Sequence, residues 1–436
     1  MQESFPHFTR IRKISVLICV YPWLIPMKMN HLLRLLESYT MKKISSRERM
    51  LTAIECHKSD YVPMSFMIFS ALRHKCKDQY EFVDKQLELG LDAFVDLVSP
   101  SDTQSEHSDL HGLPVRFDLR VQIKEWREDN TNESFPLLYK EYITPSGTLR
   151  TVVNKTEDWQ HGDHVPLFDD YLIPRSKKFL VTNKSDLKPL RHLLTPLSEN
   201  DIRIFRESAK RVKEFADSRE LLVTGGWGVG MDLACWICGI ENLMLASIYD
   251  PEFVEELANI IAEWNQKRMK VVLDVGVDLY IRRGWYESTD FWAPDMFRQF
   301  ILPSLKKEAD MAHQAGSKFG YILTTSMMPL LDVLLESGID VLIGIDPVQG
   351  RGTDMAEIKR RIGNKICLWG GVNGFVTVEM GTKEEIADAV QTAINTMSPN
   401  GGFILSPVDN IRDTSDETWE KVEFMIDTWK NCDSMF

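Results

Sequence analysis

The strongest constraint on the fold is an alternation of short apolar runs with longer amphipathic segments, which begins near residue 60. The apolar runs are 62–69, 91–98, 221–226, 277–283, 318–323, 341–346, 366–372 and 403–408. Several are almost continuous in Val, Ile, Leu or Phe, which is typical of strands that are covered on both faces. Eight such strands alternating with helices predict an α/β fold, a parallel (β/α)8 TIM barrel; a doubly wound open sheet is the alternative.

The amphipathic segments carry the signals of helix ends. Pro251 and Pro294 suit the first turn of a helix, and Asp250 suits the N-cap position. Gly316 and Gly338 stand where a helix should end before the next strand. These signals support the alternation of helix and strand.

The connection after the second run, about residues 99–200, is too long for an ideal barrel. It contains the turn sequence Thr144-Pro-Ser-Gly-Thr-Leu149 between segments rich in Thr, Val and Trp. We therefore predict an antiparallel β insertion after the second strand. Because barrel active sites lie at the carboxyl ends of the strands, we expect this insertion to form one wall of the pocket.

The N-terminal residues 1–44 are expected to be an extension outside the folded domain. Ser45 and Glu48 have the spacing of a capping box, so we place the barrel domain at residues 45–430. A start site placed upstream of Met41 would explain the extension. The apolar stretch 14–27 resembles a signal peptide, but Pro22 and Pro26 interrupt it, and secretion is the less favoured alternative.

Composition excludes several function classes. The 436 residues include 51 Lys and Arg against 64 Asp and Glu, a net charge of −13. Such a chain is a poor ligand for nucleic acid or for an anionic membrane surface. The sequence has no run of 18 or more apolar residues, so no membrane-spanning helix is predicted. Seven scattered cysteines are typical of a reducing compartment, so a cytoplasmic location is expected.

Polar residues that follow predicted strands are the first candidates for chemistry. The fourth run ends in Arg282 and Arg283, with Glu287 shortly after. Two adjacent arginines are suited to clamping a carboxylate or phosphate group, with structural salt bridges to Asp278 or Glu287 as the equal alternative. We expect these residues at the rim of the pocket.

Other candidates follow the third, fifth, seventh and eighth runs. Gly225-Gly-Trp-Gly-Val-Gly230 lacks the dinucleotide-binding spacing, and we interpret Trp227 as either an aromatic wall of the pocket or a core residue. Tyr321, Thr324 and Asn373 are candidate hydrogen-bonding groups. Asp409 is a candidate acid or base, or else the N-cap of the last helix.

The histidines and cysteines do not form a convincing metal site. His107 with His111, and His161 with His164, lie in the insertion without a neighbouring thiol, and Cys235-Trp-Ile-Cys238 is a lone CxxC. A tetrahedral zinc site needs about four such ligands. We therefore expect no zinc at the barrel mouth, and a pocket that is neutral to basic because of its arginines.

Several stretches together resemble the uroporphyrinogen decarboxylase superfamily, over about residues 45–430. They are Arg47-Glu-Arg-Met-Leu-Thr-Ala-Ile54, Asp60-Tyr-Val-Pro63, Tyr142-Ile-Thr-Pro-Ser-Gly-Thr-Leu-Arg150, Pro329-Leu-Leu331, Gly338-Ile-Asp-Val-Leu342, Leu368-Trp-Gly-Gly-Val-Asn373, Gly381-Thr-Lys-Glu-Glu385 and Pro399-Asn-Gly-Gly-Phe-Ile-Leu-Ser406. The resemblance implies a (β/α)8 barrel whose mouth receives a tetrapyrrole or a corrinoid-bound group.

Two departures from the family pattern narrow the expected function. The basic loop that grips substrate carboxylates in the haem-pathway enzyme is reduced here to Arg73, and its Gly-His-Gly is replaced by Val408-Asp-Asn410. The His-x-Cys of the thiol-methylating branch is absent from the fifth run. The resemblance therefore implies a corrinoid-associated methyltransferase or demethylase; the alternatives are a porphyrinogen decarboxylase and a non-catalytic tetrapyrrole- or corrinoid-protein-binding module.

That reading assigns roles to the candidate residues and to the partners. The catalytic candidates are Glu287, Tyr321 and Asp409, and the substrate-binding candidates are Arg282, Arg283, Trp227, Thr324 and Asn373. The expected ligands are a small methyl donor or a tetrapyrrole. The expected cofactor is a corrinoid, carried by a partner protein or by the substrate.

Overall fold

The computed structural model describes residues 44–97, 106, 113–129 and 133–433. The chain divides into two compact units between Ser45 and Ser46, and the second unit holds both sheets. In chain order the strands are β1 (Phe94–Asp96), β2 (Gln122–Glu128), β3 (Leu137–Thr144), β4 (Gly147–Asn154), β5 (Ser176–Lys178), β6 (Leu222–Gly228), β7 (Leu279–Arg283), β8 (Lys318–Ile322), β9 (Val341–Ile345), β10 (Cys367–Asn373) and β11 (Phe403–Val408).

Helices alternate with these strands. They are α1 (Ser46–Ile54), α2 (Ser70–Arg73), α3 (Gln79–Glu88), α4 (Leu172–Arg175), α5 (Leu187–Leu190), α6 (Glu199–Arg219), α7 (Met231–Cys238), α8 (Ile240–Tyr249), α9 (Pro251–Asp274), α10 (Pro294–Phe300), α11 (Leu302–Gln314), α12 (Leu331–Ser337), α13 (Met355–Ile362), α14 (Lys383–Met397) and α15 (Asp416–Asp433). Short 3-10 turns cover Lys184–Asp186 and Met328–Leu330, and a π-helix covers Gly374–Glu379.

The main sheet is parallel and curled, in the order β1-β6-β7-β8-β9-β10-β11. Seven of the eight predicted runs form its strands, which confirms the alternating α/β prediction. The first run, 62–69, does not form a regular strand: only Met64 pairs with Leu405, through an isolated parallel bridge. Pro63 has no backbone N–H to give to a ladder, which weakens pairing at this point. The prediction of eight regular strands is therefore confirmed only in part.

The predicted helix ends have the expected local structure. The Asp250 side chain accepts a hydrogen bond from the backbone N–H of Phe253 at 3.3 Å, and Pro251 opens α9. Gly338 ends α12 in the left-handed region, with φ of 83°. Glycine adopts that conformation without steric cost, so the chain can leave α12 here and enter β9 at Val341.

The inside of the curled sheet is filled by apolar side chains. Leu279, Ile281 and Ile343 from neighbouring strands are buried there, and Met50 and Ile54 of α1 belong to the same cluster. α1 therefore closes this interior at one end, which leaves the carboxyl ends of the strands as the open end.

The insertion forms a separate antiparallel sheet, in the order β2-β3-β4-β5, as predicted. β3 and β4 are joined by a tight hairpin in which Thr144 pairs with Gly147. Lys140 is fully buried, and its ammonium donates to Glu106 Oε2 at 2.8 Å and to the Val165 carbonyl at 2.6 Å. The buried lysine thus ties the sheet to the segments that flank it.

None of the helices in the described part of the chain is by itself both long and apolar enough to cross a bilayer. Length and composition would allow α7 and α8 taken together, but these two helices meet at 107°.

Candidate functional site

A cavity of about 470 Å³ lies at the carboxyl ends of the parallel strands. This is the end at which barrel enzymes carry their active sites, and the volume is in the range of small-molecule sites. The apolar part of its lining includes Met67, Ile68, Trp285, Ile322, Ile343 and Trp369. The polar part includes Asp170, Thr324, Asp346, Gln349, Asp409 and Arg412.

Two tryptophans give the cavity an aromatic floor. Trp369 is fully buried, and its indole N–H donates to the Ser65 carbonyl at 3.0 Å, which fixes the ring. Trp285 is half-buried, and the Arg283 guanidinium stacks 4.0 Å from its ring centroid. Flat aromatic faces of this kind suit an apolar or a cationic group.

Asp346 follows β9 directly and is only 3% exposed. Its Oδ1 accepts hydrogen bonds from the backbone N–H groups of Val348 at 2.8 Å and Gln349 at 3.0 Å. Its Oδ2 accepts from the side-chain amide of Asn373 at 2.7 Å. These donors are all neutral, so the carboxylate is held firmly in the cavity wall with no Lys, Arg or His within ion-pair distance among the described residues.

Asn373, a predicted substrate-binding residue, lies behind the cavity wall. It is fully buried at the end of β10, and its Oδ1 caps the π-helix by accepting from Val376 N–H at 2.5 Å. Its Nδ2 donates both to Asp346 and to Gln349 Oε1, the latter at 2.8 Å. Asn373 therefore positions two residues of the lining rather than lining the cavity itself.

Asp409, a predicted catalytic residue, does line the cavity. Its backbone is in the left-handed region, with φ of 64°, and its Oδ1 lies 3.4 Å from Arg412 Nη2. The alternative that Asp409 caps the last helix is wrong, because α15 begins only at Asp416. Its neighbour Asn410 accepts from Ser70 N–H at 3.0 Å and so ties this rim to α2.

Thr324, a predicted binding residue, also lines the cavity. A Cβ added to Gly344 would lie 2.7 Å from its methyl group, so the glycine makes room for Thr324. Next to it, Thr325 and Ser326 donate to Asp290 at 3.1 and 2.7 Å. Burial raises the pKa of Asp290, but these hydrogen bonds outweigh burial and hold it below its usual value.

Arg282, Glu287 and Tyr321 meet, but away from the cavity. Arg282 Nη2 donates to Glu287 Oε1 at 2.8 Å, and the Tyr321 hydroxyl donates to Glu287 Oε2 at 2.5 Å. Arg282 also pairs with Glu308 at 3.1 Å. Burial raises the pKa of Tyr321 well above its usual value, so the phenol remains a donor. The prediction that Arg282 lies at the rim is wrong: these groups form a fully buried network.

Arg283 is also buried rather than free to clamp a ligand. Its Nε donates to Asp232 at 3.2 Å, and its Nη2 donates to Asp170 at 3.2 Å. Asp232 in turn accepts from the backbone N–H groups of Trp285 and Tyr286 at 3.2 and 2.9 Å. Arg283 thus fixes the tryptophan and Asp170, both of which line the cavity.

Trp227 and its glycines pack against core side chains. Trp227 is 7% exposed, and its ring centroid lies 6.1 Å from that of Trp285. A Cβ at Gly226 would lie 2.6 Å from the Tyr280 ring, and a Cβ at Gly230 would overlap the Arg282 guanidinium. The glycine run therefore makes room for buried side chains, and Trp227 belongs to the core and packs beside Trp285 of the lining.

The histidines and cysteines of the described chain are used in other ways. His164 pairs with Glu125 at 3.0 Å and His161 with Asp169 at 3.2 Å, both inside the insertion. No cluster of three potential metal ligands occurs among the described residues. Cys235 and Cys238 are buried in α7, and burial raises the pKa of both thiols.

The pair His107 and His111 lies outside the described residues. The expectation that zinc is not bound therefore stays a prediction.

The charge of the cavity differs from the expectation. Among the described residues, its lining carries three aspartates, Asp170, Asp346 and Asp409, and one cation, Arg412. The prediction of a neutral to basic pocket is wrong, because the two arginines on which it was based are buried in ion pairs. Asp346 was not predicted, although it is the last residue of the apolar run 341–346, a position where a polar residue faces the strand ends.

Comparisons with known proteins agree with this architecture. The family model for uroporphyrinogen decarboxylase matches residues 167–432, more than half of the chain. A methyltransferase from Methanosarcina mazei is similar in structure over 89% of this chain and 99% of its own, with a TM-score of 0.56 and 17% identity. At that identity the likeness shows the fold. No curated protein sequence matches the chain.

Two further solved structures are similar at lower scores. A sugar phosphate isomerase/epimerase from Parabacteroides distasonis covers 84% of this chain and 95% of its own, with a TM-score of 0.37 and 10% identity. A B12-independent methionine synthase from a Shewanella species covers 52% and 65%, with a TM-score of 0.35 and 12% identity. The family is assigned by the match to the family model and not by these two likenesses. By that match the chain belongs to the uroporphyrinogen decarboxylase family.

Proposed function

We propose that this chain is a corrinoid-linked methyltransferase or demethylase that binds a small methyl donor in the cavity at the strand ends. The observation that carries the proposal is the charge of the cavity, whose lining, in the part of the chain that the structure describes, has three aspartates and one arginine. Family membership and the fold shared with a methyltransferase structure are consistent with it.

The same observation disfavours the porphyrinogen decarboxylase alternative. Uroporphyrinogen carries acetate and propionate groups around its whole rim, and recognition of several carboxylates calls for arginines or lysines. Arg282 and Arg283, the candidates for that role, are fully buried and paired with acidic side chains. A polyanionic substrate would meet Asp346 and Asp409 instead.

A corrinoid fits this site as a covering group, with a carrier protein as the proposed partner. The cavity is of small-molecule size, so a large macrocycle would lie over its opening rather than inside it. The segments after β9 and β10, the latter a π-helix, carry exposed apolar side chains: Val348, Phe375, Val376 and Met380 are 39–69% exposed. A bound corrinoid would supply a low-valent cobalt that accepts a methyl group.

The lining residues would bind and orient the methyl donor. Trp285 and Trp369 exclude water from its apolar part, and Thr324 and Asp409 lie where they can hydrogen-bond its polar part. The Arg282–Glu287–Tyr321 network lies outside the lining and acts only indirectly, by holding β7 and β8 together. We assign it a structural role in place of the catalytic role expected for Glu287 and Tyr321.

We propose further that the segment 63–65 completes a closed barrel. Met64 bridges β11 through Leu405, and its carbonyl accepts from Asp92 N–H, two residues before β1, at 2.8 Å. The segment thus bonds to both edge regions of the seven-stranded sheet.

A cytoplasmic location, where the thiols stay reduced, is part of the same proposal.

The decisive experiment measures methyl transfer to free cob(I)alamin. Purified protein is mixed with cob(I)alamin and a panel of methylated amines and methyl ethers, and loss of the cob(I)alamin absorbance is followed under anaerobic conditions. We expect turnover with at least one donor, and a loss of about tenfold or more in kcat/KM for Asp346→Asn, with Asp310→Asn on the exposed face of α11 as the control.

Two outcomes would contradict the proposal. Release of coproporphyrinogen from added uroporphyrinogen would establish the decarboxylase alternative. Binding of cob(I)alamin without turnover of any donor would favour the non-catalytic module.

A further inference from the structure

We propose that the ligand of the cavity is a cation, an organic ammonium ion whose charge is balanced by Asp346 and whose alkyl groups lie against Trp285 and the apolar lining. The inference names the substrate class of the proposed methyl donor, and so it rests on the proposed function.

The three carboxylates of the lining differ in their partners. Asp170 is paired with Arg283 at 3.2 Å, and Asp409 lies 3.4 Å from Arg412. Asp346 is within ion-pair distance of no Lys, Arg or His in the described part of the chain. Because Asp170 shares Arg283 with Asp232, the lining has more than one uncompensated negative charge, and Asp346 is the lining carboxylate that has no cation beside it in the described part of the chain.

Burial makes this surplus charge significant. Removing a carboxylate from water is costly, and in proteins buried carboxylates are normally paired with cations. Asp346 is 3% exposed and is held by two backbone N–H groups and by Asn373. Its oxygens are thus fixed in direction, but the charge is not neutralised. A cationic ligand would neutralise it without any rearrangement of the wall.

The aromatic floor favours the same ligand. Indole rings attract alkylammonium groups through their negative faces, and the attraction grows as water is excluded. Trp285 already stacks with one cation, the Arg283 guanidinium, at 4.0 Å. Apolar groups from Met67, Ile322 and Ile343 complete a surface that accepts N-methyl groups. A simple hydrated metal ion would gain nothing from this surface.

A binding experiment tests the inference without any corrinoid. Choline and its uncharged isostere 3,3-dimethyl-1-butanol have nearly the same shape, so their difference in affinity reports the charge. Affinities are measured by titration calorimetry and by quenching of tryptophan fluorescence. We expect wild-type protein to bind choline about tenfold or more tightly than the isostere. We also expect the choline affinity to fall with added salt.

Variants assign the preference to one residue. Asp346→Asn should weaken choline binding about tenfold and leave binding of the isostere unchanged. Asp409→Asn should have a smaller effect, because its charge is 38% exposed and shared with Arg412. Asp310→Asn, an exposed change of the same charge, is the control. Thermal unfolding of each variant establishes that it is folded.

The outcomes separate the two proposals. Equal affinity of wild-type protein for choline and its isostere would overturn the inference, and so would equal loss of both ligands in Asp346→Asn. If the wild-type protein binds choline and its isostere equally but turns over a neutral methyl ether, the cation site is contradicted and the proposed function is supported. A clear preference for choline without any methyl transfer would support the cation site and contradict the methyltransferase proposal.

Discussion

The hydroxyl of Tyr321 donates a 2.5 Å hydrogen bond to Glu287 inside a fully buried network that also contains Arg282. Tyr321 belongs to β8 and Arg282 to β7, while Glu287 lies in the loop that follows β7. Glu287 Oε1 also accepts from the backbone N–H of Met231 at 2.7 Å, the first residue of α7. One carboxylate therefore joins two strands and the start of a helix in the core, outside the lining of the cavity.

Removing the tyrosine hydroxyl should affect stability more than binding. In Tyr321→Phe, Glu287 Oε2 loses its donor inside the core, which we expect to lower the free energy of unfolding by about 1–3 kcal/mol. Chemical denaturation measures this, and ligand affinity is measured in parallel. A large loss of kcat with unchanged stability would instead restore Tyr321 as a catalytic residue.

Replacing Arg282 should cost more, because it breaks two buried ion pairs. Arg282→Met leaves both Glu287 and Glu308 without their cation, and we expect a loss of about 3–5 kcal/mol in the free energy of unfolding. Arg412→Met is the matched control; its side chain is 69% exposed, so we expect less than about 1 kcal/mol. Similar small effects for both variants would show that the Arg282 network contributes little.

The strands were predictable from the sequence because a strand that is buried on both faces is apolar at nearly every position. Runs such as 341–346 and 403–408 are apolar at nearly every position, and both became strands. The first run, 62–69, is also largely apolar, but Pro63 interrupts its hydrogen-bonding pattern. Apolar content therefore predicted where the chain is buried, and the hydrogen-bonding capacity of single residues decided which stretches became regular strands.

The site was predictable only where a residue acts at its own strand end. Thr324 and Asp409 line the cavity, and both lie just after the end of a strand, β8 and β11 respectively. Arg282 and Arg283 are the last two residues of β7, but they meet acidic partners from remote segments, such as Glu308 of α11 and Asp232 of α7. Such pairings depend on how helices pack, and the local sequence contains no signal of them.

Gly230 tests how tightly this network is packed. A Cβ added at Gly230 would overlap both Arg282 and Glu287, so Gly230→Ala should shift that ion pair and destabilise the fold by about 1–3 kcal/mol. Gly352→Ala is the control, because nothing lies within 4 Å of the added carbon and only its φ of 71° opposes the change, at about 1 kcal/mol. Thermal unfolding of both variants measures the difference, and equal shifts would contradict tight packing.

The insertion should lose stability in acid through Glu125. Burial raises the pKa of Glu125, but its hydrogen bond to His164 and the charge of Lys140 outweigh burial and bring it to about 2. A pKa lowered by folding contributes stability above the ordinary value near 4.5, and that contribution disappears as the pH falls towards 2. Glu125→Gln should therefore lower the unfolding temperature at neutral pH and have progressively less effect towards about pH 3. Exposed Glu157→Gln is the control; a constant difference between Glu125→Gln and wild type across this range would contradict the assignment.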